Sequence, residues 1–276
     1  MSMFKKVVII GTGLIGGSIG LGLKKRRLAK EVIGFSRRLK NARLAKRLRA
    51  IDRVGSDLSV VQGADLVILA TPVDSIVSFA LKISRLVDKK CIVIDVGSTK
   101  AAIVRKLSRV IPNFLGCHPL AGSEKKGIRQ INGEIFKNSI CVITPIRSTA
   151  KSTVVKIKRL WQALGARVIA LPAKDHDRIL GFTSHLPHLL AFTLIDAVPR
   201  QFFPFSASGL KDTTRIAASD AGLWSEIFLS NRSNCLDALA VFQTRLLALQ
   251  LALRKQNKKL LIKILQHASQ KRKILK

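Results

Sequence analysis

A chain of 276 residues with 47% apolar side chains can bury the core of one large domain or two ordinary ones. Its 49 Lys and Arg against 16 Asp and Glu leave a formal charge of +33, but the cations are scattered (KKRRLAK, SRRLKNARLAKRLR, KIKR, LRKQNKK) and aromatics are only 5%. This reads as a generally basic surface that attracts small anions, with no specific nucleic-acid partner expected. No apolar run reaches the roughly 18 to 20 residues of a membrane span, and the start MSMFKKVVIIG is too short for a signal peptide. Cys91, Cys117, Cys141 and Cys235 form no CxxC pair, so no metal site or disulfide framework is expected and a cytoplasmic location fits.

In chain order, KVVII, EVIGF, ADLVILA, CIVID, FLGC, ICVIT and ARVIAL read as short strands. Amphipathic segments such as ARLAKRLRAI and TVVKIKRLWQALG fall between them, with apolar residues at three- and four-residue spacing. Such alternation predicts a doubly wound α/β domain with a mostly parallel sheet over residues 1–172. After LPAKDHD the strand signals fade, and long apolar-periodic segments predict an all-α domain over 173–276. Its apolar faces exceed what one copy can cover, which predicts a homodimer through the C-terminal helices. The terminal QKRKILK reads as frayed.

Gly11, Gly13 and Gly16 form GxGxxG between the first strand and the first helix. In that context Gly11 permits the tight turn, Gly13 admits a pyrophosphate to the backbone, and Gly16 allows close helix–sheet packing, the pattern of a dinucleotide-binding Rossmann domain. Leu14 and Ile15 open the helix, and Thr71, after ADLVILA, is counted with the cofactor residues. At the end of the second strand, where a carboxylate would bind the ribose hydroxyls of NAD, stand Ser36, Arg37 and Arg38. A hydroxyl and two guanidinium groups suit a 2′-phosphate, which favours NADP over NAD.

Strand CIVID leads into VGSTK and places Ser98 at a carboxyl end of the sheet, where alone it reads first as a helix N-cap. His118 follows FLGC and is a candidate proton acceptor beside a nicotinamide. Ser123, Glu124 and Lys125, with Lys126, read as a solvated loop. His185 and His188, in SHLPH, are three apart and share a face if helical. His176 and His267 lie in no recognisable motif and receive no role.

Taken together and in order, GTGLIGGS, DVGSTK, GCHPLAGSE, SHLPH and KDTTRIAASDAGLW resemble the prephenate/arogenate dehydrogenase family of tyrosine biosynthesis over nearly the whole chain. The resemblance implies an NAD(P)-dependent oxidoreductase that oxidatively decarboxylates a small anionic cyclohexadienyl substrate, prephenate or arogenate. On the matching positions, His118 would accept the 4-hydroxyl proton and Ser98 would bond the same hydroxyl. Arg215 would bind a substrate carboxylate. His185, His188 and Trp224 would contact the substrate, and Asp212 would orient Arg215 or cap its helix. Ser208 stands where the family often has glycine and leaves the choice between the two substrates open. Two alternatives are another two-domain Rossmann reductase and a non-catalytic, basic nucleic-acid-binding relative.

Overall fold

A computed structural model describes residues 2–122 and 127–275. The loop reading of Ser123, Glu124, Lys125 and Lys126 therefore lies outside the described residues. The chain divides into two compact units, residues 1–231 and 232–276.

The first unit is built on β1 (Phe4–Ile10), β2 (Ala29–Phe35), β3 (Arg53–Val54), β4 (Leu66–Leu69), β5 (Ile92–Asp95), β6 (Phe114–Pro119), β7 (Ile140–Thr144) and β8 (Arg167–Ala170). They form one sheet in the order β3-β2-β1-β4-β5-β6-β7-β8, parallel except where β6 meets β7. Between the strands run α1 (Leu14–Lys25), α2 (Leu39–Arg47), α3 (Val73–Ile83), α4 (Ala101–Leu107) and α5 (Lys151–Ala163).

Successive strand residues point to opposite faces, so a strand buried on both sides reads as a continuous apolar run. Val7 and Ile9 pack with Ile19, Leu23, Leu160 and Trp161 on one face. Val8 and Ile10 pack with Ile76, Phe79, Ile83 and Leu107 on the other. Because β1 lies between β2 and β4, the strand order reverses there and leaves a crevice at the carboxyl ends of β1 and β4.

After Ala170 the described chain is helical or irregular, with α6 (Ala173–Leu180), α7 (Leu186–Ala197), α8 (Ser208–Thr214) and α9 (Ala221–Ser230) completing the first unit. One wide turn with i→i+5 geometry, Gly181–His185, joins α6 to α7.

The second unit is a helical pair, α10 (Arg232–Arg254) and α11 (Lys258–Ile274), with Asn257 accepting from the Leu260 N–H at 2.9 Å to cap α11. Leu246, Leu247, Leu251, Leu253, Ile262 and Leu265 remain exposed on it.

Four readings change at this level. His118 lies inside β6 and pairs with Val142, so the strand runs beyond FLGC. Strand β3 was not anticipated because two residues carry no period. The terminal segment is helical to Ile274, with Lys271, Arg272 and Lys273 complementing the negative helix end. Finally, α10 is long and apolar enough to cross a membrane by length and composition, with 11% of the apolar window buried. Arg245 and the glutamines break its apolar run in sequence without lowering the average enough to exclude it.

Candidate active site

The glycine loop joins β1 to α1 at the reversal of strand order. Gly11 has φ +101°, and a Cβ there would lie 2.4 Å from the Ala70 carbonyl oxygen at the end of β4. Only glycine fits both the dihedral and that approach. At Gly16 a Cβ would meet the Gly11 carbonyl oxygen at 2.0 Å, so its absence is what lets α1 lie against the sheet. Gly13 differs: nothing stands within 4 Å of a Cβ built on it. It precedes α1 with no side-chain cap and no acidic residue in the first turn, which leaves the positive helix end open to an anion.

Two hydroxyls lie at this loop with buried oxygens and no hydrogen-bond partner, Thr12 Oγ1 and Thr71 Oγ1. Buried polar atoms normally have partners, so the orphaned pair fits a dinucleotide bound here. Leu14 and Ile15 begin α1 as expected. Ser36 is half-buried and Arg37 and Arg38 are exposed just past β2. The Arg37 guanidinium carbon lies 5.9 Å from the Phe79 ring centroid.

Ser98 and His118 occupy the carboxyl ends of β5 and β6. Ser98 is half-buried in the loop before α4, but it does not cap that helix. The carboxylate of Asp177 does so from α6, accepting from the Lys100 N–H at 2.7 Å and the Ala101 N–H at 2.8 Å. Asp177 also lies 2.8 Å from His176 Nδ1 through Oδ1. His176 Nε2 in turn is 2.9 Å from His118 Nδ1. Beneath them Lys100 forms a fully buried ion pair with Asp95, whose Oδ2 also accepts from the Gly97 N–H at 2.9 Å.

Burial, followed by the neighbouring His176, Lys100 and His185, holds the His118 pKa well below 6.5, so the ring is neutral at neutral pH and its free nitrogen lone pair is available. Burial likewise takes His185 down to about 4, against an opposing pull from Asp177. Asp95 is pushed up by burial and pulled back by Lys100.

A second group continues from this cluster. Asn231 donates to the Asp177 carbonyl oxygen at 2.7 Å and lies 3.0 Å from His185 Nδ1. His185 meets Trp224 edge-on, with centroids 6.1 Å apart, and Trp224 stacks on His188. Arg215 opens the short turn after α8 and is close enough for its charge to lower the His188 pKa, although burial is the larger cause. A series of neighbours thus runs from His118 through His176, Asp177, Asn231, His185 and Trp224 to His188, with Arg215 within electrostatic reach of its end. Asp212 lies in the last turn of α8 and Ala207 precedes that helix, so Asp212 is not its cap.

Residues 19–170 match the family described as prephenate dehydrogenase, nucleotide-binding domain, and residues 172–267 the one described as prephenate dehydrogenase, dimerization domain. The chain belongs to the prephenate dehydrogenase family. It is 34% identical to the prephenate dehydrogenase of Bacillus subtilis over 249 residues, covering 86% of this chain and 67% of that one. It is 32% identical to the cyclohexadienyl dehydrogenase of Zymomonas mobilis over 286 residues, covering 100% and 98%. The crystal structure of the A. aeolicus prephenate dehydrogenase in complex with hydroxyphenyl propionate and NAD+ superposes with a TM-score of 0.93 at 30% identity, covering 99% of this chain and 98% of that one.

Within this family frame, sequence reasoning passed over His176, Asp177, Lys100 and Asp95. Lys100 falls within DVGSTK, where nothing in the sequence gives it a role, and His176 lies in no motif. The available signal is the dipeptide His176–Asp177 at the junction of the two sequence patterns, where an imidazole and a carboxylate sit inside α6, the first helix after the sheet.

Proposed function

We propose that this protein catalyses the NAD(P)-dependent oxidative decarboxylation of prephenate to 4-hydroxyphenylpyruvate, or of arogenate to tyrosine. The observation that supports the reading is the series of neighbours that leads from a neutral, half-buried imidazole at His118 to His188, which lies within electrostatic reach of the Arg215 guanidinium, on the carboxyl side of a dinucleotide fold. A base and a fixed cation are what an anionic alcohol substrate requires.

In this proposal Gly11, Gly13, Leu14, Ile15, Gly16 and Thr71 hold the dinucleotide. Ser36, Arg37 and Arg38 receive the 2′-phosphate of NADP, the preferred cofactor. When bound, the oxidised nicotinamide supplies the acceptor for a hydride from the hydroxyl-bearing ring carbon. His118 takes the hydroxyl proton, Ser98 bonds the same hydroxyl, the electrons of the breaking C–CO2 bond complete the aromatic ring as CO2 leaves, and His118 returns the proton to the phenolate oxygen. Arg215 binds a substrate carboxylate, Asp212 orients it, and His185, His188 and Trp224 wall the ring.

The domains act as residues 1–172 for the dinucleotide and 173–276 for substrate and dimerisation, a division supported by the last strand ending at Ala170. The exposed leucines of α10 and α11 are assigned to a homodimer, and the four free cysteines suit a reducing cytoplasm. The basic surface is assigned to attraction of anionic ligands, without a specific nucleic-acid partner.

Purified protein assayed with both substrates and both cofactors tests the reading. Cofactor reduction with at least one substrate is expected, with a lower KM for NADP than for NAD. His118→Asn should lower kcat by about 10² to 10⁴-fold. Absence of turnover with all four combinations overturns the proposal, and a clear NAD preference removes the phosphate assignment.

A further inference from the structure

We infer that His176 and Asp177 are positioning residues that hold the His118 imidazole in a single tautomer, with its proton on Nδ1 and its lone pair on Nε2. The inference rests on the reading of His118 as the base and assigns the device that makes it one.

The derivation starts from the carboxylate, which accepts hydrogen bonds and donates none. Asp177 is fixed from two directions: the Lys100 and Ala101 N–H groups hold its oxygens at 2.7 and 2.8 Å, and Asn231 holds its peptide carbonyl at 2.7 Å. His176 is fully buried, and its Nδ1 lies 2.8 Å from Asp177 Oδ1. The proton of that hydrogen bond therefore belongs to His176 Nδ1. An imidazole with its one proton on Nδ1 presents a lone pair at Nε2. That atom lies 2.9 Å from His118 Nδ1, so His118 must donate there, which leaves His118 Nε2 as its proton acceptor.

The same geometry governs the charged state of the reaction. When Nε2 gains the substrate proton, the His118 imidazolium keeps donating through Nδ1, and the Asp177 carboxylate stabilises the new charge across one intervening ring. No proton needs to leave the series, so His176 orients and polarises His118 and does not transport the proton. The groups facing His176 are His118 from β6, Asp177 on its own helix and His185 from the wide turn, while the Lys100 charge acts on the same His118 ring. A doubly protonated His176 would make His118 Nδ1 the acceptor and place its proton on Nε2, removing the base.

The tautomer is read directly by ¹⁵N NMR of the histidine rings in the full chain at neutral pH, with the His118 signals assigned by their loss in His118→Asn. The expected spectrum has a protonated Nδ1 and an unprotonated Nε2. His176→Leu removes the acceptor and should let His118 relax toward the Nε2-protonated form. In that variant kcat should fall by about 10²- to 10⁴-fold, the scale on which a mis-set tautomer weakens a base, while KM values for substrate and dinucleotide stay within about twofold. His176→Gln supplies an amide oxygen to accept from His118 Nδ1 and an amide N–H for Asp177, so it should restore the tautomer and most of kcat. A wild-type spectrum with the proton on Nε2 overturns the inference, and that spectrum decides alone if His176→Leu fails to fold. An unchanged tautomer and kcat in a folded His176→Leu overturns it as well. Wild-type protein with the expected tautomer but no turnover would instead count against the proposed reaction and leave the positioning intact.

Discussion

His188 lies nearly flat on the indole of Trp224, with ring centroids 3.5 Å apart and planes inclined by 22°. Its Nδ1 is directed at the Ser184 carbonyl oxygen, 2.9 Å away, so a stack and a hydrogen bond together fix the ring. Burial lowers the His188 pKa, and the charge of Arg215 lowers it further. In the proposed complex the substrate carboxylate would meet the Arg215 guanidinium beside a neutral imidazole. Trp224→Ala frees the ring. An aromatic pair is worth about 0.5 to 1.5 kcal/mol, so KM for the cyclohexadienyl substrate should rise roughly 2- to 10-fold with kcat little changed. Initial-rate kinetics check this, and an unaltered KM would assign Trp224 to packing alone.

Gly13 and Gly16 separate binding from folding within one loop. A Cβ at Gly13 meets nothing within 4 Å, and the backbone there has φ −79°, which any residue adopts. Gly13→Ala should leave Tm unchanged while weakening dinucleotide binding about tenfold or more, because the methyl group stands where the pyrophosphate must approach. At Gly16 the methyl would lie 2.0 Å from the Gly11 carbonyl oxygen, so Gly16→Ala should destabilise the unliganded protein by about 1 to 3 kcal/mol. Thermal unfolding without ligand, followed by dinucleotide titration, distinguishes the two. A destabilised Gly13→Ala would mean that its open space is needed for folding.

The acid limb of stability should carry the signature of His185. Burial takes its pKa from 6.5 to about 4, so between those values the unfolded chain binds the proton and the folded chain does not. The contribution is present in full above pH 6.5 and is lost as pH falls from there through about 4. Its size is on the order of 3 kcal/mol, and His118, also depressed, acts in the same direction. His185→Gln keeps an acceptor for Asn231 and removes the titration. Urea unfolding near pH 7.5 and near pH 4.5 should show a smaller loss in the variant than in the wild type. Equal losses would place the acid sensitivity elsewhere.

Local signals made the cofactor half of the site legible in the sequence. The roles of Gly11, Gly13 and Gly16 follow from a loop whose contacts are mostly its own and those of the adjacent strand. Motifs single out Ser98, His118 and Arg215 as candidates, but a sequence does not show that a histidine from α6 stands behind His118. That contact joins positions 58 apart in the chain. The same blindness made Ser98 look like a helix cap, because the true cap, Asp177, arrives from 76 residues downstream. Apolar periodicity shows which faces are buried, but it carries no information on which polar side chains meet inside them.

The buried ion pair of Lys100 and Asp95 should prove more important as a pair than as two residues. Both side chains are fully buried, so removing one partner leaves the other charged and desolvated, a loss of about 3 to 5 kcal/mol. Lys100→Met should therefore be strongly destabilised. Asp95→Asn in the same chain should recover much of the loss, since the amide oxygen still accepts from the Gly97 N–H and no charge remains. The backbone N–H of residue 100 is untouched, so Asp177 keeps its hold on α4. Lys100 is also one of the charges that depress the His118 pKa. Removing it lets that pKa rise toward 6.5, which moves the acid limb of kcat/KM to higher pH in the double variant. Chemical denaturation of the three proteins and the pH profile of the double variant test both parts; a single variant as stable as the wild type would show that Asp95 sits in the fold as a neutral acid.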